Sequence, residues 1–561
     1  MAQPPETVIL NGRLITFNPA RPRAEALAIS GGRIVAVGTT QDVRALAGPG
    51  TRIVDAGGAT VLPGFIDSHV HLFGGSVELG YLDLYGVQGE EALFPKVREW
   101  AARCPDDKVV FAVQADYALM GPGRRTTRHD LDRALPDRPF AVFSPDHHTI
   151  WANTPALELA GILNGAEVDA GAQIVMGDDG RATGELQEPS AYAPVLSMTR
   201  HGGRDMMGLV TGADPEPPAT AAQRAMDKDA IERGMKHCAS HGITGLHLMD
   251  GNFYQGELLS EMEDEGRLLC RSQVPFHYKS FDPLDRFEEA AEMQRRFDSD
   301  MVWSGMVKMF MDGVCESRTA LMLQPYPGTD HVGDAVFEAD HFNQACIRAD
   351  AMGLQMATHA IGDLAIRRTL DGYEAAQNAN GRRDARHRVE HIEVLHPADL
   401  PRFAELDVVA SIQPGHAPFG GIFPPVGMDE VLHPEQIPLC FAWQDIRDSG
   451  ARVAFSTDWP VIGVAVMPNI RGAVAPTPLP APWREQSQSL MDTLESYTAA
   501  NAWLEFHEDR KGRLKPGMMA DVVVMSHDLE ALEPSALDTA RAAITFCGGR
   551  VTWDAAGGDA E

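Results

Sequence analysis

Two histidines separated by one residue, His69 and His71, are the feature of this sequence that most directly suggests chemistry. They follow an apolar run and a Pro-Gly break within Thr60–Gly74. Side chains two residues apart in a strand point to the same face, so both imidazoles would project together from a strand end and supply half of a metal site. Asp67 precedes them and is expected to orient one ring. A hydrogen-bonded pair without a metal is the alternative.

The strands that would position such a site lie in the middle of the chain, where short apolar runs alternate with helical patterns. This alternation predicts an α/β barrel or a doubly wound sheet, and eight candidate parallel strands favour a (β/α)8 TIM barrel. The predicted strands are Val61–Asp67, Thr244–Met249, Ser272–His277, Gly305–Met311, Gln355–His359, Arg388–His391, Val408–Gln413 and Val453–Thr457.

Further candidate residues stand at the ends of these strands, where barrel enzymes place their chemistry. Four histidines, a lysine and an aspartate would therefore converge at one end of the barrel. Beyond the first histidine pair, these residues are Lys308 on the fourth strand, His359 on the fifth, His391 on the sixth and Asp458 after the eighth.

The two ends of the chain are rich in short strands and turns, such as Asn11-Gly12 between two candidate hairpin strands. We expect both ends to meet in one composite β-sandwich domain, with two unrelated β tails as the alternative. About 160 residues between the first two barrel strands exceed any normal connection and predict an inserted subdomain, whose Ser197–Pro218 segment is expected to be a mobile or substrate-facing loop. The expected divisions are residues 1–61 and 510–561 for the sandwich, 62–76 and 240–509 for the barrel, and 77–239 for the insertion.

The charge balance argues against one class of partner. The chain has 79 acidic and 48 basic residues and a formal net charge of −31, whereas nucleic-acid binding needs a basic face. The seven cysteines do not form a disulfide-framework pattern, and there is neither a signal-peptide pattern nor an apolar run of transmembrane length. We therefore expect a cytoplasmic enzyme with a small-molecule substrate, without nucleic-acid or membrane partners, that could form a homodimer.

Seven motifs resemble those of the amidohydrolase superfamily and, within it, the YtcJ-like branch that includes N-substituted formamide deformylases. The resemblance covers nearly the whole chain and implies a metal-dependent (β/α)8 barrel with a composite β domain built from both termini. The motifs are PGFIDSHVH, VKMFMDG, THAIGD, RVEHIE, SIQPGH, FSTDWPV and KPGMMADVVVM.

The resemblance also implies two divalent metal ions per chain, for which zinc is the first expectation and iron, manganese and nickel stay open. A carbamate is an anionic ligand with two oxygens, whereas an ordinary lysine is a cation without a lone pair; zinc suits mixed imidazole and carboxylate ligands. The alternative is a one-metal site in which Lys308 forms a salt bridge with Asp458 or Asp312. The implied ligands are His69, His71 and Asp458 for one ion, His359 and His391 for the other, and carboxylated Lys308 as the bridge between them.

This ligand set implies hydrolysis of an amide-like C–N bond, of the N-acyl or N-formyl amine type, by hydroxide that the metal makes available near neutral pH. Asp458 would accept the proton and return it to the leaving nitrogen. One alternative is a mononuclear hydrolase or deaminase acting on a cyclic or amino-substituted substrate. The other is a non-catalytic scaffold, which would be expected to have lost ligands, whereas all six positions are present here.

A second group of residues is expected to contact the substrate. His148, within the Asp146–Asn153 segment, is expected to act in catalysis by hydrogen-bonding the substrate or its oxyanion, with a structural turn as the alternative. Salt bridges, surface positions or core packing are the alternatives for the others. These further candidates are Trp151, Glu188, Glu316, Arg318, Gln413 and His416.

Overall fold

A computed structural model describes residues 3–145, 147–168, 172–422 and 428–557 of the chain. They fall into two compact units. The first unit consists of Met1–His71 with Met235–Glu561, and the second is Leu72–Gly234. In the described ranges, no helix is both long enough and apolar enough to cross a membrane.

The strands are short and many. In chain order they are β1 (Thr7–Leu10), β2 (Arg13–Ile15), β3 (Arg23–Ala24), β4 (Ala26–Ser30), β5 (Arg33–Gly38), β6 (Arg52–Asp55), β7 (Thr60–Pro63), β8 (Phe65–Val70), β9 (Leu82–Asp83), β10 (Val110–Val113), β11 (Phe140–Phe143), β12 (Thr149–Ala152), β13 (Gln173–Met176), β14 (Ala182–Gln187), β15 (Ile243–Leu248), β16 (Arg271–Gln273), β17 (Phe276–His277), β18 (Val302–Trp303), β19 (Met306–Phe310), β20 (Gln355–Ala360), β21 (Arg388–His391), β22 (Val409–Ile412), β23 (Val453–Phe455), β24 (Val522–Met525), β25 (Ala542–Cys547) and β26 (Arg550–Asp554).

The helices lie mostly between the strands of the middle of the chain. They are α1 (Thr40–Arg44), α2 (Leu72–Glu78), α3 (Glu90–Arg103), α4 (Arg128–Ala134), α5 (Thr154–Leu159), α6 (Pro189–Leu196), α7 (Arg204–Val210), α8 (Ala221–Ser240), α9 (Phe253–Asp264), α10 (Phe287–Arg296), α11 (Ala339–Ala351), α12 (Asp363–Asn380), α13 (Arg402–Glu405), α14 (Met428–Val431), α15 (Trp443–Asp448), α16 (Val466–Val474), α17 (Leu490–Ser496) and α18 (Ala499–Leu504), with short 3-10 helices at Leu284–Arg286, Pro418–Gly420, Ile437–Leu439, Pro534–Thr539 and Ala555–Gly557.

Both ends of the chain contribute to one β module of the first unit. A four-stranded sheet has the order β5-β4-β1-β6, and a six-stranded sheet has the order β26-β25-β24-β7-β2-β3. The N-terminal β7 pairs antiparallel with the C-terminal β24, with Leu62 opposite Val523. Apolar side chains from strands of both sheets, among them Ile9, Ile29 and Phe546, share one buried cluster, so the two ends of the chain stabilise each other by burial of apolar surface.

The rest of the first unit contains two parallel sheets, with the orders β18-β16-β15-β8 and β17-β19-β20-β21-β22-β23. These strands are buried along nearly their whole length, as is typical of parallel sheets covered on both faces. The described strand pairing gives these two sheets and no single closed ring. A mixed α/β fold is therefore established, and closure into a barrel stays a prediction.

Two predicted strands are divided in the structure, and proline explains both breaks. The predicted strand Val61–Asp67 splits at Pro63-Gly64: β7 joins the β module, and β8 begins the parallel sheet. A Cβ on Gly64 would lie 2.3 Å from Thr244 Cγ2, so only glycine allows this approach. The predicted strand Ser272–His277 splits into β16 and β17 around Pro275, which has no N–H to donate to a ladder.

The second unit has a mixed sheet in the order β13-β14-β12-β11-β10-β9. Alternate residues of its strands enter two separate apolar clusters, so both faces are covered. The expectation of a loop over Ser197–Pro218 is wrong in part, because the segment contains α7. Arg204 in α7 is buried and forms two hydrogen bonds to Asp227, which fixes the helix in place.

Candidate metal centre

Three of the predicted ligands converge at the ends of β8 and β23. The Nε2 atoms of His69 and His71 each lie 3.3 Å from Asp458 Oδ1. All three side chains are buried. Backbone bonds hold the two strand ends together: the N–H of Asp458 donates to the carbonyl of His69, and the N–H of His71 donates to the carbonyl of Trp459. The three ligand atoms lie within 4.8 Å of one another, close enough to bind one metal ion.

The electrostatics of this group fit a cation. Asp458 Oδ1 is buried and, among the described residues, accepts no hydrogen bond, which leaves an anionic oxygen facing two imidazoles. Burial raises the pKa of Asp458, but His69 and His71 outweigh it and hold the pKa below its usual range. Burial lowers the pKa of His69 well below its usual value, which favours the neutral imidazole that a metal requires. Two imidazoles and a carboxylate form a donor set that suits zinc and similar ions.

A second group shares Asp458 and differs from the prediction. It consists of His391, His416 and Asp458, whose ligand atoms again lie within 4.8 Å of one another. Asp458 Oδ2 lies 3.9 Å from His391 Nδ1 and 3.7 Å from His416 Nε2. The ring of His359 is adjacent, with its centroid 4.5 Å from that of His391, but its Nε2 is 3.1 Å from the carbonyl oxygen of Gly313. The assignment of His359 to a second ion therefore stays a prediction.

Lys308 lies in the middle of the first unit and is fully buried. Within the described residues its Nζ has neither a hydrogen-bond acceptor nor an acid in salt-bridge range, and it lies 4.6 Å from the centroid of the Phe310 ring. The alternative salt bridge to Asp458 or Asp312 is therefore not formed here. Burial lowers the pKa of Lys308 to about 8, although Glu390 and Asp458 oppose that effect. The neutral fraction of this amine near neutral pH is therefore larger than that of an ordinary lysine, and the neutral form is the one that can react with carbon dioxide.

The rings of two histidines are oriented by residues behind them. His69 Nδ1 lies 2.7 Å from Glu390 Oε2, and His391 Nδ1 lies 2.9 Å from Gln413 Oε1. Gln413 also donates from Nε2 to Ser456 Oγ. Each histidine therefore donates from Nδ1 and keeps a lone pair on Nε2.

The predicted role of Asp67 is corrected by this arrangement. Its carboxylate accepts from the N–H and the hydroxyl of Thr457, at 3.0 and 2.6 Å, and so links β8 to the segment after β23. Glu390, not Asp67, bonds the ring of His69. Glu390 is not among the predicted residues, although it stands directly before His391 in the RVEHIE motif. Asp250, 3.7 Å from His71 Nδ1, is not among them either and belongs to no motif.

The other predicted substrate residues are scattered. In the first unit, Glu316 is exposed and Arg318 is partly exposed with a φ of +59°, whereas Gln413 and His416 belong to the centre described above. In the second unit, His148 Nδ1 lies 3.0 Å from Glu188 Oε1, and both side chains are more than one-third exposed. Trp151 is buried in the core of that unit against Tyr117, which gives it a packing role. Asp146 lies outside the described residues.

Comparison with known proteins identifies the family. The model of the family described as "Amidohydrolase family" matches residues 52–553. The protein LONG AFTER FAR-RED 3 of Arabidopsis thaliana is 28% identical over 93% of this chain and 87% of its own length. The putative amidohydrolase YtcJ of Bacillus subtilis (strain 168) is 26% identical over 97% of this chain and 98% of its own. The N-substituted formamide deformylase of Arthrobacter pascens is 25% identical over 94% of each chain. These matches confirm the resemblance drawn from the motifs.

A solved structure supports the same fold. An uncharacterized metal-dependent hydrolase from Pyrococcus horikoshii OT3 superposes with a TM-score of 0.71 at 24% identity, over 94% of this chain and 98% of that one.

Proposed function

This chain belongs to the amidohydrolase family, and from that premise we propose that it is a metal-dependent hydrolase of an amide-like C–N bond, with an N-acyl or N-formyl amine as substrate. The observation that carries the proposal is the convergence of His69, His71 and Asp458 around a buried carboxylate oxygen that accepts no hydrogen bond from the described residues. The substrate class takes support from the similar N-substituted formamide deformylase.

We propose in addition that the parallel strands of the first unit close into a (β/α)8 barrel. The chain passes directly from β16 to β17 and from β18 to β19, so each of these pairs joins one sheet to the other. At the opposite edges of the two sheets, Val70 at the end of β8 forms a parallel bridge with Trp459 after β23. These three links support one ring of eight strands, with the chemistry at its carboxyl end.

The residues fit two divalent ions, with zinc as the first choice. His69, His71 and Asp458 would hold one, His391 with His359 or His416 would hold the other, and Lys308 would bridge them once it is carboxylated. Carboxylation forms a bond between Nζ and the carbon of carbon dioxide and releases a proton, which the lowered pKa of Lys308 favours. Bound there, such an ion would supply Lewis acidity and a water with a pKa of about 7.

Asp458 is the residue proposed to move the proton. Its carboxylate is ionised and lies beside the two imidazoles of the centre. It would take the proton from the attacking water and deliver it to the nitrogen that leaves, so that a carboxylic acid and an amine are formed with all atoms balanced. His148 Nδ1 lies 3.0 Å from Glu188 Oε1 within the second unit, and its expected role in catalysis stays a prediction.

A mononuclear hydrolase or deaminase is the second candidate function. The observation in its favour is the contact of His359 Nε2 with the carbonyl oxygen of Gly313. A carbonyl can only accept, so this nitrogen carries a proton in that contact and offers no lone pair to a metal. In that case Lys308 would stay an amine, and cyclic or amino-substituted substrates would be tested first.

Two measurements test the proposal together: the metal content of the protein, and the effect of replacing Lys308. Protein purified without chelator should contain about two metal ions per chain and hydrolyse members of a panel of N-acyl and N-formyl amines. Lys308→Ala should lose the second ion and at least about 100-fold in kcat, because the bridging carboxylate is gone, and a short carboxylate in the buffer should restore part of both.

The matched control is Lys515→Ala, since Lys515 is exposed and should affect neither metal content nor kcat. One ion per chain that Lys308→Ala does not change would favour the mononuclear candidate. The absence of metal under every loading condition would contradict the hydrolase proposal.

A further inference from the structure

We propose that five buried side chains, Lys511, Glu505, His247, Arg388 and Glu390, form a positioning chain that fixes the ring of His69 with its Nε2 lone pair directed into the metal centre. The proposal rests on the proposed function for the role of the metal, but the hydrogen bonds that carry it belong to the protein alone. These residues are positioning residues, because none of them is among the proposed metal ligands.

The positioning chain reaches the metal centre through the bond between His69 and Glu390. Glu390 Oε2 accepts from Arg388 Nη2 at 2.8 Å, and Oε1 accepts from Arg388 Nε. The paired, ionised carboxylate has no proton to give. His69 Nδ1, 2.7 Å from Oε2, must therefore be the donor, and the lone pair of the neutral ring is left on Nε2.

The next step fixes the tautomer of a second histidine. Arg388 Nη1 lies 3.1 Å from His247 Nδ1, and a guanidinium can only donate. His247 Nδ1 must therefore accept, and the ring must carry its proton on Nε2. That nitrogen lies 2.9 Å from Glu505 Oε2 and donates to it. His247 thus transmits the orientation of Arg388 to a second carboxylate.

The far end of the chain balances the charge. Glu505 Oε1 lies 2.8 Å from Lys511 Nζ, and both side chains are at most 1% exposed. In the positioning chain, the charges of Lys511 and Arg388 balance those of Glu505 and Glu390, and His247 is neutral. The five residues are therefore neutral as a set. Since an uncompensated buried charge is strongly unfavourable, each member is held by its neighbours. Arg388 is also anchored by bonds to the Ser68 carbonyl and to Ser411 Oγ, so the chain is tied to strands on both sides of it.

The arrangement predicts that a change at His247, which does not contact His69, alters the metal centre. A glutamine at this position can accept from Arg388 through its oxygen and donate to Glu505 through its nitrogen, as the Nε2–H tautomer of histidine does. A leucine can do neither. His247→Gln and His247→Leu are therefore a matched pair that separates the hydrogen bonds from the volume of the side chain.

The test measures the zinc dissociation constant by competition with a chromophoric chelator on full-length protein. Glu390→Gln and His247→Leu should weaken zinc binding by about 10- to 100-fold, the usual effect of removing the partner of a metal-bound histidine. His247→Gln should stay within about threefold of the wild type. His527→Gln, at an exposed position, should have no effect. Equal zinc affinity in the wild type, Glu390→Gln and His247→Leu would overturn the proposal, even if the two variants unfold at lower temperature.

A second readout works without metal. In metal-free protein labelled with ¹⁵N-histidine, the His69 ring should carry its proton on Nδ1, assigned by the signal that disappears in His69→Gln. His247→Leu or Glu390→Gln should change that tautomer ratio, and His247→Gln should restore it. A wild type that binds no zinc but shows this tautomer would contradict the proposed function and leave the positioning chain intact. A His69 tautomer that is mixed in the wild type, or unchanged in both disrupting variants, would overturn the chain.

Discussion

At the scale of residues, the candidate metal centre combines two histidines that stay neutral, His69 and His391, with a third, His71, that holds a proton, and with one ionised aspartate, Asp458. Burial lowers the pKa of His69 and also that of His391, well below the usual value in both cases. Burial lowers the pKa of His71 too, but its carboxylate neighbours Asp250 and Asp458 outweigh that effect and raise the pKa to about 9 in the metal-free protein. Metal binding therefore has to displace a proton from this histidine, so the affinity should increase with pH.

Asp458→Asn tests the aspartate. The amide keeps the size of the side chain but has no charge and cannot take a proton, so we expect kcat to fall by about 10²- to 10⁴-fold and zinc affinity at the first site to fall by at least about 10-fold. Steady-state kinetics and chelator competition measure the two effects. Asp371→Asn, at a half-exposed position, is the control. Full activity in Asp458→Asn would remove this residue from the mechanism.

At the scale of elements, the seam between β8 and β23 decides whether the two halves of the metal centre meet. The described ladders do not pair β8 with β23, which lie at the edges of different sheets. Asn501, in α18, donates from Nδ2 to the Ile66 carbonyl at 2.7 Å and to the Phe455 carbonyl at 3.0 Å. The helix thus replaces the missing ladder by bonding both strands with one amide group.

Asn501→Leu should lower the free energy of unfolding of the first unit by about 2–3 kcal/mol, because two buried carbonyl groups lose their donor. Urea denaturation measures this. Asn380→Leu provides the comparison, since Asn380 is an exposed residue at the end of α12 that also bonds a carbonyl, that of Ile347; its loss should stay below about 1 kcal/mol. Equal losses in the two variants would contradict a special role for the seam.

At the scale of the whole molecule, a buried carboxyl group in the second unit should make the free energy of unfolding depend on pH. Asp205 in α7 is buried, and burial raises its pKa to about 6, above the value of about 3.9 in an unfolded chain. The folded state therefore holds this proton more tightly. The stabilisation that this proton gives to the folded state is complete below about pH 4 and is lost as the pH rises through about 6.

Asp205→Asn should remove the loss of stability with rising pH, because an amide does not titrate. The variant and the wild type should be equally stable near pH 4, and the variant should be more stable by on the order of 2 kcal/mol at pH 7.5. Urea denaturation of both proteins at several pH values gives the difference, in which the titration of other groups cancels. Asp178→Asn, at an exposed position, should show no such trend. A stability difference that does not depend on pH would contradict the assignment.

The sequence by itself determined the family and predicted a ligand set. Residues such as His69, His71 and Asp458 are recognisable because ligand chemistry restricts residue type, and because strand periodicity and strand-end position are local properties of a sequence. The same holds for the α/β alternation of the middle and for the strands at both ends of the chain. Prolines also shape the chain locally. The Pro-Gly break at Pro63 was recognised, yet the predicted strands Val61–Asp67 and Ser272–His277 extend across Pro63 and Pro275, because the apolar pattern continues across both.

Tertiary structure decided which partner each side chain has. Glu390 orients His69, while Asp67 turns to Thr457, 390 positions away in the sequence. His416 rather than His359 completes the second group of ligand atoms around Asp458. The positioning chain of side chains, from Lys511 to Glu390, joins segments that lie more than 100 residues apart in the sequence. A sequence specifies which groups need a hydrogen-bond partner or an opposite charge. The packing of distant segments decides which group becomes that partner. The choice matters because a buried charge is stabilised only by its immediate neighbours.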